Sequence, residues 1–156
     1  MKVILPGSYD PITIGHLEII KAAADKYAEV FVVAFINPDK EYFFSEEERV
    51  EMLRLATSEI KNVTVDFFSG RVVDYMKEHG IEKIVKGYRN ATDYAYEQIQ
   101  AEYNLNNGGY ETELIKCSEN YEKISSTLAR ETIYSRGELS KILPSLVVEY
   151  LKNKKT

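Results

Sequence analysis

The sequence has few of the residues from which proteins build disulfides and metal clusters. Its 156 residues include one cysteine, two histidines and no tryptophan. The single Cys117 excludes an intrachain disulfide and any multi-cysteine metal cluster, and two histidines are too few for a histidine-rich metal centre. We therefore expect Cys117 to be a small buried residue in a reducing compartment, with the cytoplasm as the default location.

Long apolar runs and an excess of positive charge are also absent. Three apolar residues, Val3-Ile4-Leu5, precede Pro6, which is too short for the core of a signal peptide, and no stretch reaches the roughly 20 apolar residues of a membrane span. The net charge is −5 and the pI is near 5.2, whereas a general nucleic-acid-binding protein needs a broad basic face. We expect neither a membrane nor a nucleic acid as partner.

Length and composition indicate one globular domain. Hydrophobic residues make up 44% of the chain and charged residues 29%, which are ordinary values for a soluble protein. No linker, repeat or low-complexity tract divides the sequence. We expect residues 1–156 to form a single domain.

Short apolar segments alternate with segments of helical periodicity along the whole chain. The unbroken apolar run at 30–35 is typical of a strand that is covered on both faces, as in parallel sheets. The predicted order β-α-β-α-β-α-β-α-β-α-α indicates an α/β fold, a Rossmann-like doubly wound domain with a five-stranded parallel sheet and C-terminal helices. The fourth helix is predicted from 93 to about 106, with a turn at 106–109.

A glycine-containing turn connects the first strand to the first helix. It has the sequence Pro6-Gly7-Ser8-Tyr9-Asp10-Pro11-Ile12-Thr13-Ile14-Gly15-His16. Ligands of open α/β sheets bind beyond the carboxyl ends of strands, where a helix start offers unpaired N–H groups and a positive dipole end. This turn is therefore predicted to bind an anion such as phosphate.

Three further segments place ligand-binding side chains at the same edge of the sheet. Lys40 follows the second strand, and Lys86 and Arg89 flank Gly87 at the end of the fourth. Hydroxyl residues 125–127 begin a later helix, where they can cap the helix and form a second anion site. A solvated loop lysine explains Lys40 equally well, and helix capping alone explains the hydroxyls equally well.

The common catalytic motifs are missing. The chain contains no GxxxxGK[ST] loop, no GxGxxG fingerprint, no HExxH pair and no GxSxG elbow. A lone histidine at a helix start, two cationic strand ends and a hydroxyl-rich helix start remain. This set favours phosphoryl or nucleotidyl transfer, in which positioning and charge stabilisation supply most of the catalysis.

Thr13-Ile14-Gly15-His16 resembles the T/H-x-G-H signature of the nucleotidyltransferase α/β phosphodiesterase superfamily. The wider sequence is similar to that of the bacterial phosphopantetheine adenylyltransferases, and this resemblance covers nearly the whole chain. The segments that carry it are Asn37-Pro38-Asp39-Lys40, residues 44–49, Lys86-Gly87-Tyr88-Arg89 with Asp93 and Tyr96-Glu97 following, and Ile124-Ser125-Ser126-Thr127-Leu128.

The resemblance implies transfer of the adenylyl group of ATP to 4′-phosphopantetheine, with Mg²⁺ on the ATP phosphates, in a homohexamer. It assigns catalysis to His16, Lys40 and Arg89, with His16 stabilising the charge that develops on the α-phosphate. It assigns the acceptor to Ser8, Lys40, Val72 and Lys86. It assigns ATP to Ser8, Tyr9, His16, Gly87, Tyr88, Arg89, Glu97, Tyr121, Ile124, Ser125, Ser126 and Thr127, and it implies no metal ligand from the protein.

Four residues depart from the family pattern. Lys86 stands where the family often has arginine, Tyr88 where it has leucine, Tyr121 where it has tryptophan, and Ser8 where it has threonine. These changes bear on affinity and selectivity more than on the type of reaction. Two alternatives stay open: a sister nucleotidyltransferase that uses nicotinamide mononucleotide, or glycerol 3-phosphate with CTP, and a non-catalytic adenine-nucleotide sensor.

Overall fold

The computed structural model describes residues 1–154, which form alternating strands and helices. The strands are β1 (Lys2–Gly7), β2 (Glu29–Phe35), β3 (Val63–Phe68), β4 (Lys83–Tyr88) and β5 (Glu111–Lys116). The helices are α1 (Ile14–Lys26), α2 (Glu46–Ala56), α3 (Val72–His79), α4 (Ala91–Gly108), α5 (Ser126–Tyr134) and α6 (Ser145–Lys154), with a 3₁₀ turn at Glu119–Tyr121. None of the helices in residues 1–154 has both the length and the apolar composition needed to cross a bilayer.

The strands form one sheet in the order β3-β2-β1-β4-β5. Every neighbouring pair is parallel, and parallel neighbours need crossover connections, which the helices supply. The chain moves outward from β1 through β2 to β3, and then returns so that β4 lies on the other side of β1. The predicted doubly wound α/β fold with a five-stranded parallel sheet is confirmed.

Alternate residues of the strands contribute to two apolar cores on opposite faces of the sheet. Val3 and Leu5 belong to the larger core with residues from α1, α2, α5 and α6. Ile4, between them, belongs to the smaller core with residues from α3. In β2 the neighbours Phe31 and Val32 are likewise divided between the two cores, which explains why this strand has an unbroken apolar sequence.

The two central strands separate toward their carboxyl ends. Within the described residues, β1 and β4 pair at Val3 with Lys83 and at Ile4 with Ile84, whereas β1 stays paired with β2 as far as Gly7. A cleft therefore opens between β1 and β4. This is the switch point of the strand order, where ligands bind in open α/β sheets.

Helix α1 packs closely over β4 beside this cleft. A Cβ atom added to Gly87 would lie 2.6 Å from Cγ1 of Ile19, well inside normal van der Waals contact. Gly87 is therefore required for the close approach of α1 to the end of β4, and this packing brings the start of α1 over the cleft.

The fourth helix is longer than the sequence predicted. It begins at Ala91, where the side chain of Asn90 caps it by accepting the N–H of Asp93, and it continues to Gly108. The turn predicted at 106–109 is wrong because Asn107 lies in the last helical turn, where its side chain donates to the Tyr103 carbonyl at 2.9 Å. Gly109, at φ +75°, ends the helix instead.

Candidate active site

The turn after β1 is held by a buried tyrosine. Tyr9 has φ +48°, a conformation that costs a non-glycine residue energy, and its hydroxyl donates to the Leu5 carbonyl at 2.9 Å. Burial raises the pKa of the Tyr9 phenol, which keeps it protonated for this hydrogen bond. A Cβ atom on Gly7 would lie 3.2 Å from the Tyr9 ring, so glycine leaves room for the ring to fold back over the strand end.

A buried carboxylate connects this turn to the segment before α2. The oxygens of Asp10 accept the backbone N–H groups of Phe43 at 2.8 Å and Phe44 at 2.9 Å. The backbone carbonyl of Asp10 accepts Nη1 of Arg130 in α5 at 2.9 Å. Asp10 therefore joins the turn to two other segments, a role that sequence reasoning did not assign to it.

A capping box at the start of α1 orients His16. Oγ1 of Thr13 accepts the His16 backbone N–H at 3.3 Å, and Nδ1 of His16 accepts the Thr13 backbone N–H at 3.0 Å. Because a backbone N–H can only donate, Nδ1 is the unprotonated nitrogen and the neutral ring carries its proton on Nε2. His16 is therefore a preoriented hydrogen-bond donor.

The surroundings of His16 favour the neutral form of its ring. Desolvation is the largest cause, and the positive charges of Lys86 and Arg89 add to it, so that the pKa of His16 falls from 6.5 to about 4. The ring also packs edge-on against Tyr9, with ring centroids 5.2 Å apart. Near neutral pH, His16 can donate to an anionic oxygen without bringing a further charge.

The two cations at the end of β4 are each held by an acid of α4. Nζ of Lys86 lies 3.5 Å from the Glu97 carboxylate and donates to the Pro6 carbonyl at 3.4 Å. Arg89 makes a two-point contact with Asp93, at 2.9 and 3.3 Å. These acids fix the cations at the rim of the cleft.

The start of α5 closes the opposite side of the cleft. Ser125 caps the helix by accepting the Leu128 N–H at 3.0 Å, and the Ser126 hydroxyl donates to the Pro11 carbonyl at 2.9 Å. Arg130, one turn into the helix, donates to Thr127 Oγ1 at 3.1 Å. Two helix N-termini, those of α1 and α5, thus meet at one cleft, and both favour an anion.

These elements enclose a cleft of about 420 Å³, a size that suits a small-molecule ligand. Most of the residues that the sequence singled out line it. They are Ser8, Tyr9, His16, Lys86, Gly87, Tyr88, Arg89, Glu97, Ile124, Ser125, Ser126 and Thr127.

Three of the singled-out residues lie elsewhere. Lys40 is exposed and lies in a neighbouring cleft with Tyr42 and the segment before α2. Tyr121 packs against the larger core and lies beside Gly15. A Cβ atom added to Gly15 would be 3.9 Å from the Cβ of Tyr121. Val72 lines a further cleft of about 270 Å³.

The cleft at Val72 is continuous with the main one. Ser8, Lys86 and Glu97 line both, so a long ligand can occupy the two together. Lys86 lies where they meet. The combined space has a cationic, hydrogen-bonding end beside His16 and an arm that extends to Val72.

Buried Arg49 is a second residue that sequence reasoning missed. Only 1% of it is exposed, and its Nη1 donates to the Ser8 carbonyl at 2.9 Å. A charged residue between glutamates and an apolar helix face has no local pattern that predicts burial. Asp10 and Arg130 escaped notice for the same reason, because their partners are distant in sequence.

Comparison with known proteins identifies the family. Residues 4–132 match the family model described as cytidylyltransferase-like. The chain is 42% identical to the phosphopantetheine adenylyltransferase of Corynebacterium efficiens over 157 residues, which cover 100% of this chain and 99% of that one. This chain belongs to the phosphopantetheine adenylyltransferase family. A second member, from Streptomyces coelicolor, is 41% identical over 150 residues, covering 96% of this chain and 94% of its own.

A solved structure supports the same fold at greater distance. The lipopolysaccharide core biosynthesis protein of Thermoplasma volcanium aligns with a TM-score of 0.51 at 22% identity, covering 76% of this chain and 96% of that one. This likeness concerns the fold alone. The membership in the phosphopantetheine adenylyltransferase family rests on the full-length sequence identity.

The His16 geometry predicts an unusual titration. ¹⁵N NMR of the imidazole should show the neutral form with its proton on Nε2, and a midpoint near pH 4 rather than 6.5. Because folding lowers this pKa, the unfolded chain binds the extra proton first, so the contribution of His16 to stability is full above pH 6.5 and declines toward pH 4. A midpoint near 6.5, or a proton on Nδ1, would contradict the geometry; His16→Gln assigns the signal.

Proposed function

We propose that this chain transfers the adenylyl group of ATP to 4′-phosphopantetheine, yielding dephospho-coenzyme A and pyrophosphate, a step of coenzyme A biosynthesis. The observation that supports it most is the meeting of a neutral histidine donor, two cations and two helix N-termini at one cleft. This arrangement suits a polyphosphate. The full-length identity to phosphopantetheine adenylyltransferases supports the choice of acceptor.

ATP is assigned to the main cleft. We place the triphosphate against the starts of α1 and α5, at His16 and residues 125–127, with Tyr121 behind Gly15. The nucleoside is assigned to the side formed by Gly87, Tyr88 and Arg89. Glu97, at the same side, is available to a ribose or base hydroxyl or amine once a phosphate competes for Lys86.

The acceptor is assigned to the arm of the cleft that reaches Val72. Its phosphate would lie between Ser8 and Lys86, and its pantetheine chain would run along Val72. Lys40 is assigned to the same phosphate. Because Lys40 is exposed and outside the main cleft, it must swing inward from its loop when both substrates are bound.

The proposed chemistry is one in-line displacement. An oxygen of the acceptor phosphate forms a bond to the α-phosphorus of ATP while the bond from that phosphorus to the bridging oxygen breaks, and the electron pair leaves with pyrophosphate. A phosphate nucleophile is already ionised near neutral pH, so no strong base is needed. Nε2–H of His16, with Lys40 and Arg89, stabilises the charge that builds up on the α-phosphate oxygens.

Magnesium is proposed to enter with ATP, as the MgATP complex. The acids that face the cleft, Asp93 and Glu97, already hold Arg89 and Lys86. They are therefore poorly placed to build a separate metal cage. Mg²⁺ commonly keeps much of its water and binds through substrate phosphates. This habit suits a site that has many hydrogen-bond donors for phosphate and few free carboxylates.

We also propose a cytoplasmic location. Cys117 is buried, and its burial raises the pKa of the thiol. A lone buried thiol of this kind suits a reducing compartment.

Pyrophosphate release tests the proposed function. With ATP and Mg²⁺, 4′-phosphopantetheine should give rapid release, and nicotinamide mononucleotide, or glycerol 3-phosphate with CTP, should give little. His16→Ala should lower kcat roughly 10²-fold or more with ATP binding largely kept, because the lost contact acts in the transition state. His79→Gln is the control for loss of a histidine, because His79 stacks on Tyr75 of the smaller core and does not line the cleft. This variant should keep the wild-type kcat.

Three results would contradict this proposal. Faster release with another acceptor would indicate a sister nucleotidyltransferase. ATP binding without release from any acceptor would indicate a nucleotide sensor. Near-normal turnover of His16→Ala would remove His16 from catalysis.

We further propose that the chain assembles as a homohexamer, as its family resemblance implied, through contacts that include α4. None of the 18 residues of α4 is buried. Tyr96, Ile99 and Tyr103 are 61%, 65% and 54% exposed, and their i, i+3, i+7 spacing places them on one side of the helix. A second copy of the chain would cover this apolar side.

Light scattering coupled to gel filtration tests the assembly. The wild-type chain should have the mass of six copies, and Ile99→Glu should shift the mass to smaller species because it places a charge on the apolar side of α4. Asn153→Glu, which adds the same charge at an exposed position of α6, should keep the wild-type mass. A monomeric wild-type chain would refute the hexamer.

A further inference from the structure

Tyr42, in the segment between β2 and α2, has two cations close to its ring. The guanidinium carbon of Arg49 is 3.9 Å from the centre of its ring, and Nζ of Lys40 is 5.3 Å from the same centre. Both distances are within the range of cation–π attraction. The ring therefore connects a buried charge to an exposed one.

The Tyr42 ring is fixed in place at its hydroxyl end. The hydroxyl accepts the Asn37 backbone N–H at 2.9 Å and donates to the Phe35 carbonyl at 3.4 Å. Phe35 is the last residue of β2, so the hydroxyl of Tyr42 is bonded to the end of an interior strand of the sheet. Lys40 lies in the loop between Asn37 and Tyr42, the two residues that the first of these hydrogen bonds joins.

The nearer of the two cations, Arg49, is held rigidly. Arg49 is buried, and its guanidinium is tied to the Ser8 carbonyl at 2.9 Å. Its Nε has no hydrogen-bond partner among the described residues. A continuous set of contacts thus leads from Ser8, at the phosphate-binding turn, through Arg49 and Tyr42 to Lys40.

We infer that Tyr42 is a positioning residue for Lys40. This inference rests on the proposed function, in which Lys40 binds the acceptor phosphate. A free lysine samples many rotamers, and ordering it on binding costs entropy. The ring holds the ammonium group in the neighbouring cleft before the acceptor arrives. Because an exposed cation–π contact is weak, the ammonium can exchange the ring for a phosphate oxygen when Lys40 swings inward.

Tyr42 acts on Lys40 without touching either substrate. The acceptor KM should therefore respond to loss of the ring, and the KM for ATP should not. The hydroxyl is expected to matter less than the ring, because the contacts with Lys40 and Arg49 are made by the ring itself. A residue with a purely structural role would instead affect both substrates and the thermal stability, whether or not Lys40 is present.

A double-mutant cycle tests the inference. Tyr42→Leu should raise the acceptor KM about 2- to 5-fold, and Tyr42→Phe, which keeps the ring, should stay close to the wild type. In the Lys40→Ala background, Tyr42→Leu should add nothing further. An equal effect of Tyr42→Leu in both backgrounds, or no effect in the wild-type background, would overturn the inference.

A second measurement does not depend on catalysis. In wild-type chain whose lysines carry ¹³C-methyl groups, the Lys40 resonance, assigned by its loss in Lys40→Ala, should be shifted upfield by the Tyr42 ring. Tyr42→Phe should keep the shift. An unshifted Lys40 resonance would overturn the inference even if the chain is active. If the Lys40 resonance is shifted but the chain does not transfer an adenylyl group, the contact is confirmed and the proposed function is refuted.

Discussion

The separation of β1 from β4 is the constraint on which the rest of the site depends. The strands pair at Val3 and Ile4 and then diverge, which leaves room at the carboxyl ends of the two central strands. Pro6 lies in the opened stretch and has no N–H to offer a neighbouring strand, and its carbonyl accepts the ammonium group of Lys86. A side chain thus occupies the gap that a regular ladder would have closed.

The surroundings of this gap keep the imidazole of His16 neutral. Desolvation by burial, and after it the charges of Lys86 and Arg89, lowers the pKa of His16, and each cation is held by its own acid of α4. The backbone N–H of Thr13 directs the imidazole proton to Nε2. A neutral donor surrounded by fixed cations and helix N-termini is preorganised for a phosphate oxygen whose charge increases during reaction.

Much of the fold and of the site could be predicted from local sequence. The apolar runs of β1 and β2 and the turn that ends at His16 are contiguous segments, and parallel strands bring their carboxyl ends to one edge. Asp10, Arg49 and Arg130 could not be predicted, because their partners are distant in sequence and no periodicity marks a buried charge. The predicted end of α4 was wrong. Asn106 and Asn107, residue types that are frequent in turns, lie within the helix here, and the helix ends at Gly109 instead.

The central claim is that the site has no nucleophile of its own and that catalysis is one displacement stabilised by charge. The stereochemistry at the reacting phosphorus tests this claim most directly. With ATP bearing a single sulfur of known configuration on the α-phosphorus, and 4′-phosphopantetheine as acceptor, the dephospho-coenzyme A product should show inversion at that phosphorus. Retention would require two successive displacements through an adenylyl-enzyme intermediate, and it would contradict the account.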